Sequence, residues 1–383
     1  MIYLDHAAST PLDPQVAESM AAVMRDPALQ ANPSSSHAPG RAARACIEAA
    51  RSAVATLAGA TPAGVVFTSG ATEANNLGII GTARFRAVRG RHLVTSAAEH
   101  ASVREACRCL EREGWAVTWL ECGRDGLVDP AAVAAAIRPD TTLVSLMAVN
   151  NETGVVQDIE ALGALCRQRD VPLHVDAVQA AGREPIDMRR EQVDLLSLSA
   201  HKFGGPRGVG ALVLDTDRVA RIQPLYHGGA QERGLRPGTL PTHQLHGMGV
   251  AAAIASARLP LDPPRIAALR TRLEERLLAV SGVRLNGHAT RRACHIANVT
   301  VAGVEGESLQ LALEEIAVSA GSACDSGNDD PSPVLMLLGL DREAARSSVR
   351  FSLGVSTTAE EIDRAAAVFE HAVSHLRRLA PAA

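Results

Sequence analysis

Aromatic residues are scarce. Phe, Tyr and Trp make up 2% of the 383 residues, so Leu, Val and Ala have to fill the core. No charge sign dominates. The 38 basic and 42 acidic residues leave a formal net charge of −4, which supplies no electrostatic footprint for nucleic acid or an anionic membrane. No apolar run reaches the ~18 residues of a membrane span. Residues 1–5 lack the basic-then-apolar pattern of a secretory leader. Seven cysteines are present: Cys46, Cys107, Cys109, Cys122, Cys166, Cys294 and Cys324. Their number is odd, their spacing is irregular, and no Cys-x-x-Cys pair occurs. No disulfide framework or metal site is expected, and a reducing, cytoplasmic setting is.

What is present is ordinary for a water-exposed globular chain: 46% hydrophobic and 21% charged residues. The length calls for two domains. Short apolar runs at residues 65–68, 92–95, 117–120, 142–147, 172–176, 194–198 and 209–214 read as strands, several of them separated by helical patterns. That alternation predicts an α/β fold, with a mostly parallel sheet covered on both faces and ligands beyond the carboxyl ends of its strands. Asp13-Pro14 reads as a helix start. After about residue 250 the texture changes, with Pro260, Pro263 and Pro264 marking a break. A helical stripe (Ile266, Leu269, Leu273, Leu277, Val280), strands at 283–285 and 296–301, and a capping box at Thr358-Ala-Glu-Glu361 follow. We expect a large domain over 13–255, and a smaller α+β domain from 1–12 with 256–383.

The chain is organised around Ser197-Leu-Ser-Ala-His-Lys202-Phe-Gly-Gly. Lys202 follows an apolar strand and precedes a glycine-rich turn. A lysine amine attacks carbonyls when neutral, and partial desolvation favours that form. Ser199 and His201 are placed to hold an anion beside it, a pattern suited to a Schiff-base lysine for pyridoxal phosphate; a surface lysine in a hairpin loop is the plainer alternative. Other polar clusters follow other strands. Ser69-Gly-Ala-Thr72 reads as a phosphate turn or an ordinary helix cap. His100 suits ring stacking and proton transfer near neutral pH. Asn151 lies in a polar turn. Asp176 is either a partner for a cationic pyridine nitrogen or a helix cap, with Gln179 three residues on. Residues 228–239, rich in Gly and Arg, read as a flexible cationic loop too polar for the core, either a source of anion contacts or a subunit interface, or simply a solvated loop. Cys324 sits among small residues in Ser319-Ala-Gly-Ser-Ala-Cys324-Asp-Ser-Gly and reads as a mobile nucleophile. Asp325, Asp329 and Asp330 would push its pKa up, so activation has to come from the site it visits.

Taken together these segments resemble the cysteine desulfurases of the NifS/IscS type, in the class V aminotransferase family. The resemblance runs nearly the whole length. It is carried by Thr68-Ser-Gly-Ala-Thr-Glu73, Glu99-His100, Asn150-Asn-Glu-Thr-Gly154, His174-Val-Asp-Ala-Val-Gln179, Ser199-Ala-His-Lys202, Gln231-Glu-Arg-Gly234, Gly321-Ser-Ala-Cys324 and Arg350-Phe-Ser352. The loop around Cys324 resembles the subgroup with a long cysteine loop. The resemblance implies the fold type I of pyridoxal 5'-phosphate transferases, L-cysteine as substrate, a homodimer, and a sulfur-acceptor protein such as an iron–sulfur scaffold or sulfur carrier. It implies that Lys202 bonds the cofactor and moves the Cα proton, that Asp176 meets the ring nitrogen and Gln179 the phenolic oxygen, and that His100 stacks on the ring and shuttles protons. Ala71, Thr72, Ser199 and His201 would hold the phosphate, with Thr239 reaching across the dimer. Asn151 would lie at the cofactor. Arg350 would clamp the substrate carboxylate, with Asn32 near it, and Cys324 would take the sulfur as a persulfide. The competing readings are a selenocysteine lyase or another enzyme of this fold, and a non-catalytic binding protein.

Overall fold

The computed structural model describes residues 1–219, 221–320 and 330–379. In chain order the first part holds β1 (Ile2–Tyr3), α1 (Pro14–Arg25), α2 (Ala38–Leu57), β2 (Val65–Thr68), α3 (Ala71–Phe85), β3 (His92–Ser96), α4 (Ala101–Arg112), β4 (Ala116–Leu120), α5 (Pro130–Ala136), β5 (Thr141–Met147), α6 (Ile159–Gln168), β6 (Leu173–Asp176), β7 (Leu195–Ser199), β8 (Gly210–Leu214) and α7 (Thr242–Arg258). The remainder holds α8 (Asp262–Leu278), β9 (Val283–Leu285), β10 (Ile296–Val301), α9 (Gly306–Ala312), β11 (Ile316–Ala317), β12 (Ser319–Ala320), α10 (Pro333–Leu337), α11 (Arg342–Arg346), β13 (Ser348–Ser352) and α12 (Ala359–Leu379). No helix among the described residues is long and apolar enough to cross a membrane.

Seven strands form one sheet in the order β2-β8-β7-β6-β5-β3-β4. All pairings from β7 to β4 are parallel, and β8 alone runs against its neighbours. The expected mostly parallel α/β sheet is therefore present. Its strands are continuous apolar runs because successive side chains enter opposite covered faces. Val66, Leu93, Leu143, Leu195 and Leu212 pack with α3 and α4 through Leu77, Ile80, Val103 and Leu110. Their neighbours Phe67, Val94, Val144, Leu196 and Val213 pack with α2, α6 and α7 through Ile47, Val54, Leu162, Leu245 and Met248. The filling is Leu, Val and Ala, as the lack of aromatics requires.

The helix signals hold locally. Asp13 caps α1, its carboxylate accepting from the Gln15 N–H at 2.8 Å. Thr358 and Glu361 exchange backbone-to-side-chain hydrogen bonds at the start of α12. A four-stranded antiparallel sheet, β12-β13-β10-β9, packs with α8 and α12 around Val299, Leu273, Ile362 and an edge-to-face Phe351–Phe369 pair at 5.9 Å. The amino-terminal segment joins this group: β1 pairs in parallel with β11, and Leu4 is fully buried.

One sequence reading is corrected. The loop over residues 228–239 is not uniformly a solvated cationic surface. Glu232 is buried and receives both terminal nitrogens of Arg51, at 2.7 and 2.8 Å, plus the Phe67 N–H at 2.7 Å. A buried carboxylate persists when it is paired and fully hydrogen-bonded, and Arg51, 181 residues away in sequence, supplies the pairing.

Candidate active site

The strands β2, β3, β5, β6 and β7 run in one direction, so their carboxyl ends share one edge of the sheet. At those ends or within a few residues of them lie residues 69–72, His100, Asn151, Asp176 with Gln179, and His201 with Lys202. They converge on a cavity of about 600 Å³. Ala71, Thr72, His100, Asn151, Asp176, Gln179, Ser199, His201, Lys202 and Arg350 all line it. Asn32 and Thr239 do not; both are exposed in the single chain, and Asn32 accepts from the Ser34 N–H at 2.9 Å. Cys324, with Asp325 and Asp329, lies outside the described residues.

Lys202 closes a single 3₁₀ turn, Ala200–Lys202, at the end of β7. Its backbone carbonyl accepts from Arg183 at 3.0 Å and from the Thr10 hydroxyl at 3.2 Å. Its Nζ donates to the carbonyls of Ala7 and Ala8. His201 is held neutral: burial, then the charges of Lys202 and Arg207, lower its pKa to about 4. Its Nδ1 lies 3.2 Å from the Ser9 hydroxyl.

Two features test whether pyridoxal phosphate suits this cavity. The first is the start of α3. Its N-cap is Gly70, at φ 154°, with no side-chain cap, so the first N–H groups of a 15-residue helix open toward the cavity beside Thr72 and Ser199. Such a helix start favours a phosphate. The second is Asp176, which is buried and accepts from Asn75 Nδ2 at 2.8 Å and the Val178 N–H at 3.1 Å. No cationic side chain among the described residues forms an ion pair with it, whereas a protonated ring nitrogen would. The residues present fit the cofactor.

Arg350, 1% exposed, lies on β13. Nη1 donates to the Asn151 carbonyl at 2.8 Å, and Nη2 to Asp5 Oδ1 at 2.9 Å and to Ser319 Oγ at 3.2 Å. Gln179 donates to the Ala7 carbonyl at 2.9 Å, and its Oε1 lies 3.2 Å from His295 Nε2. His100 is the N-cap of α4; its Nδ1 accepts from the Ser102 N–H at 3.1 Å and lies 2.8 Å from the Ser102 hydroxyl.

Several contributors were not singled out from the sequence. The Ala7 and Ala8 carbonyls carry no side-chain signal. Ser9, Glu73 and Arg207 line the cavity. Asn75 had a usable signal, a second-turn asparagine where helix propensity disfavours it, and it is fully buried.

Glu152, in the same turn as Asn151, is buried and accepts from the Ser332 hydroxyl. Burial, only partly offset by Ser332 and Arg350, raises its pKa to about 7. Between about pH 4.5 and 7 the folded protein therefore binds a proton that the unfolded chain releases, and stability from this group falls as pH rises through that window. Glu152→Gln should remove this slope, gaining up to about 3 kcal/mol on the parent between pH 5 and pH 8. Urea midpoints of both proteins at the two pH values measure it; a constant difference rules it out.

Residues 2–365 match the aminotransferase class-V family model. Over 381 residues the chain is 49% identical to the cysteine desulfurase IscS of Shewanella halifaxensis (strain HAW-EB4), covering 99% of this chain and 94% of that one. Among solved structures, a NifS-like protein superposes with a TM-score of 0.91 at 33% identity, covering 98% of this chain and 100% of that one. A structure described as SspA in complex with cysteine superposes with a TM-score of 0.82 at 38% identity, covering 92% and 99%. The sheet, the helix start that suits a phosphate, and the lysine on its short turn all sit in a chain that belongs to the aminotransferase class-V family.

Proposed function

We propose that the protein is a pyridoxal 5'-phosphate-dependent cysteine desulfurase that converts L-cysteine to L-alanine and passes the sulfur to Cys324 as a persulfide. The observation that carries this reading is the meeting of Lys202, Asp176, His100 and Arg350 around one cavity. The desulfurases among its relatives support it.

When bound, the cofactor supplies an electron sink for the pair left behind as the Cα proton departs. The chain's own groups do the rest. The start of α3, with Ala71, Thr72, Ser199 and His201, would hold the phosphate. Asp176 would meet the ring nitrogen, Gln179 and Asn151 would lie beside the ring, and His100 would stack on it. Lys202 would carry the covalent link to the cofactor, and its amine would move the Cα proton. Arg350 binds the substrate carboxylate, its fork already aimed by Asp5 and Ser319. The Cys324 thiolate attacks the substrate sulfur: an S–S bond forms, the Cβ–S bond breaks, the Cys324 sulfur is oxidised, Cβ is reduced, and protonation of the carbon yields alanine. Thr239, exposed in one chain, reads as a phosphate contact for the partner of a homodimer, and Asn32 as a neighbour of the substrate carboxylate. The persulfide then serves an acceptor protein in iron–sulfur cluster assembly or another thio-cofactor or tRNA thiolation route, in the cytoplasm.

Mass spectrometry tests the reading. Exposure of the holoenzyme to L-cysteine should add one sulfur, about 32 Da, to the peptide containing Cys324, with alanine released. Cys324→Ser should abolish both. Undiminished alanine release from that variant would favour a selenocysteine lyase or another enzyme of this fold.

A further inference from the structure

His100 and Asp176 face the same cavity from different strand ends, and two residues outside the expected site join them. Asn75 Nδ2 lies 2.8 Å from Asp176 Oδ2 and 2.8 Å from Ser102 Oγ. The Ser102 hydroxyl lies 2.8 Å from His100 Nδ1. The direction of each bond follows from chemistry. A carboxylate only accepts, so Asn75 must present its NH₂ group to Asp176. The opposite amide orientation would set oxygen against oxygen. The same NH₂ group donates to Ser102 Oγ, which leaves the single hydroxyl hydrogen of Ser102 available to His100 Nδ1. The Ser102 backbone N–H also donates to that nitrogen at 3.1 Å. Nδ1 thus receives two donors and has no room for a proton of its own. Asn75 holds this position although its Oδ1 has no partner among the described residues, a cost that buried amides rarely carry without a purpose.

We propose that Asn75 and Ser102 are positioning residues that link the Asp176 carboxylate to the His100 ring and fix His100 as the neutral tautomer with its proton on Nε2. In that form Nε2 offers a hydrogen bond and has no lone pair to take up a proton. An imidazolium would need an Nδ1–H directed at the Ser102 N–H. His100 is therefore a fixed donor and stacking plate, not the proton shuttle that its residue type suggests, and Lys202 carries the Cα proton alone. The inference rests on His100 lying at the cofactor.

Two-bond ¹H–¹⁵N spectra of holoenzyme labelled with ¹⁵N-histidine read the tautomer directly, with His100 identified as the signal lost in His100→Gln. A protonated Nε2 and bare Nδ1 are expected; a proton on Nδ1, alone or with Nε2, overturns the proposal. Ser102→Ala should move the Nδ1 resonance and lower kcat about tenfold, the cost of one buried hydrogen bond, with KM for cysteine unchanged; Ser102→Thr should restore both. Asn75→Leu should move the His100 resonance although residue 75 does not touch the ring. An unmoved resonance in Asn75→Leu removes the linkage. The spectra need no turnover, so a failed desulfurase assay and a failed tautomer assignment remain separate results.

Discussion

Replacing Lys202 by alanine should lower alanine release by at least about 10³-fold, because in the proposed mechanism one side chain both bears the covalent link and moves the Cα proton. The structure makes that amine hard to replace. Its backbone is tied by Arg183 and Thr10, and its Nζ is aimed by two carbonyls from the amino-terminal segment. Among the described residues no other lysine lines the cavity, and Arg207 and Arg350 are its remaining cationic groups; a guanidinium stays protonated and cannot act as the nucleophile. Borohydride reduction of the parent holoenzyme followed by peptide mapping should find the cofactor's mass on the Lys202 peptide, and the variant should show none. Turnover retained at about a tenth of the parent would contradict the assignment, since it exceeds what binding alone would leave after loss of such a group.

The second large effect concerns stability. Glu232→Ala should cost about 3–5 kcal/mol, because it strands a buried guanidinium. Arg51 and Glu232 have side chains 8% and 1% exposed and meet through two parallel hydrogen bonds. The same carboxylate also accepts the Phe67 N–H, Arg51 donates to the Val65 carbonyl at 2.9 Å, and its guanidinium stacks 4.7 Å from the Phe67 ring centre. The pair thus fastens the 228–239 loop to β2, the strand that leads into Ser69–Thr72. The urea midpoint should fall steeply in Glu232→Ala and in Arg51→Ala, while the double variant Arg51→Met/Glu232→Leu should lose less than either. A midpoint within about 0.5 kcal/mol of the parent in Glu232→Ala, the range of ordinary surface changes, would mean that the loop is not anchored there.

The sheet was legible because its strands are short apolar runs entering two covered faces, each followed at once by polar residues. That same pattern placed Thr72, His100, Asn151, Asp176 and Lys202 near strand ends, where they line one cavity, but it was the family resemblance that singled out His100 and Asn151. Legibility ended where function depends on backbone or on distant partners. The Ala7 and Ala8 carbonyls that hold Lys202 come from almost two hundred residues upstream and have no side chain to announce them. Glu232 read as part of a solvated loop because its buried partner sits on α2. Strands of two residues, β1, β11 and β12, carry no periodicity to detect. β13 was visible only as a motif around Arg350, since its burial comes from the sheet formed with β10.

The placement of residues 2–8 imposes an order of events. Ile2 and Tyr3 pair with residues 316 and 317, Asp5 bridges Ser352 and binds Arg350, and the Ala7 N–H donates to the Ser352 hydroxyl. The pairing of residues 2–7 with residues 316, 317, 350 and 352 cannot form until residue 352 has been made. The large sheet can assemble during synthesis, but the segment that offers its carbonyls to Lys202 is clamped on its other side only by strands made more than three hundred residues later.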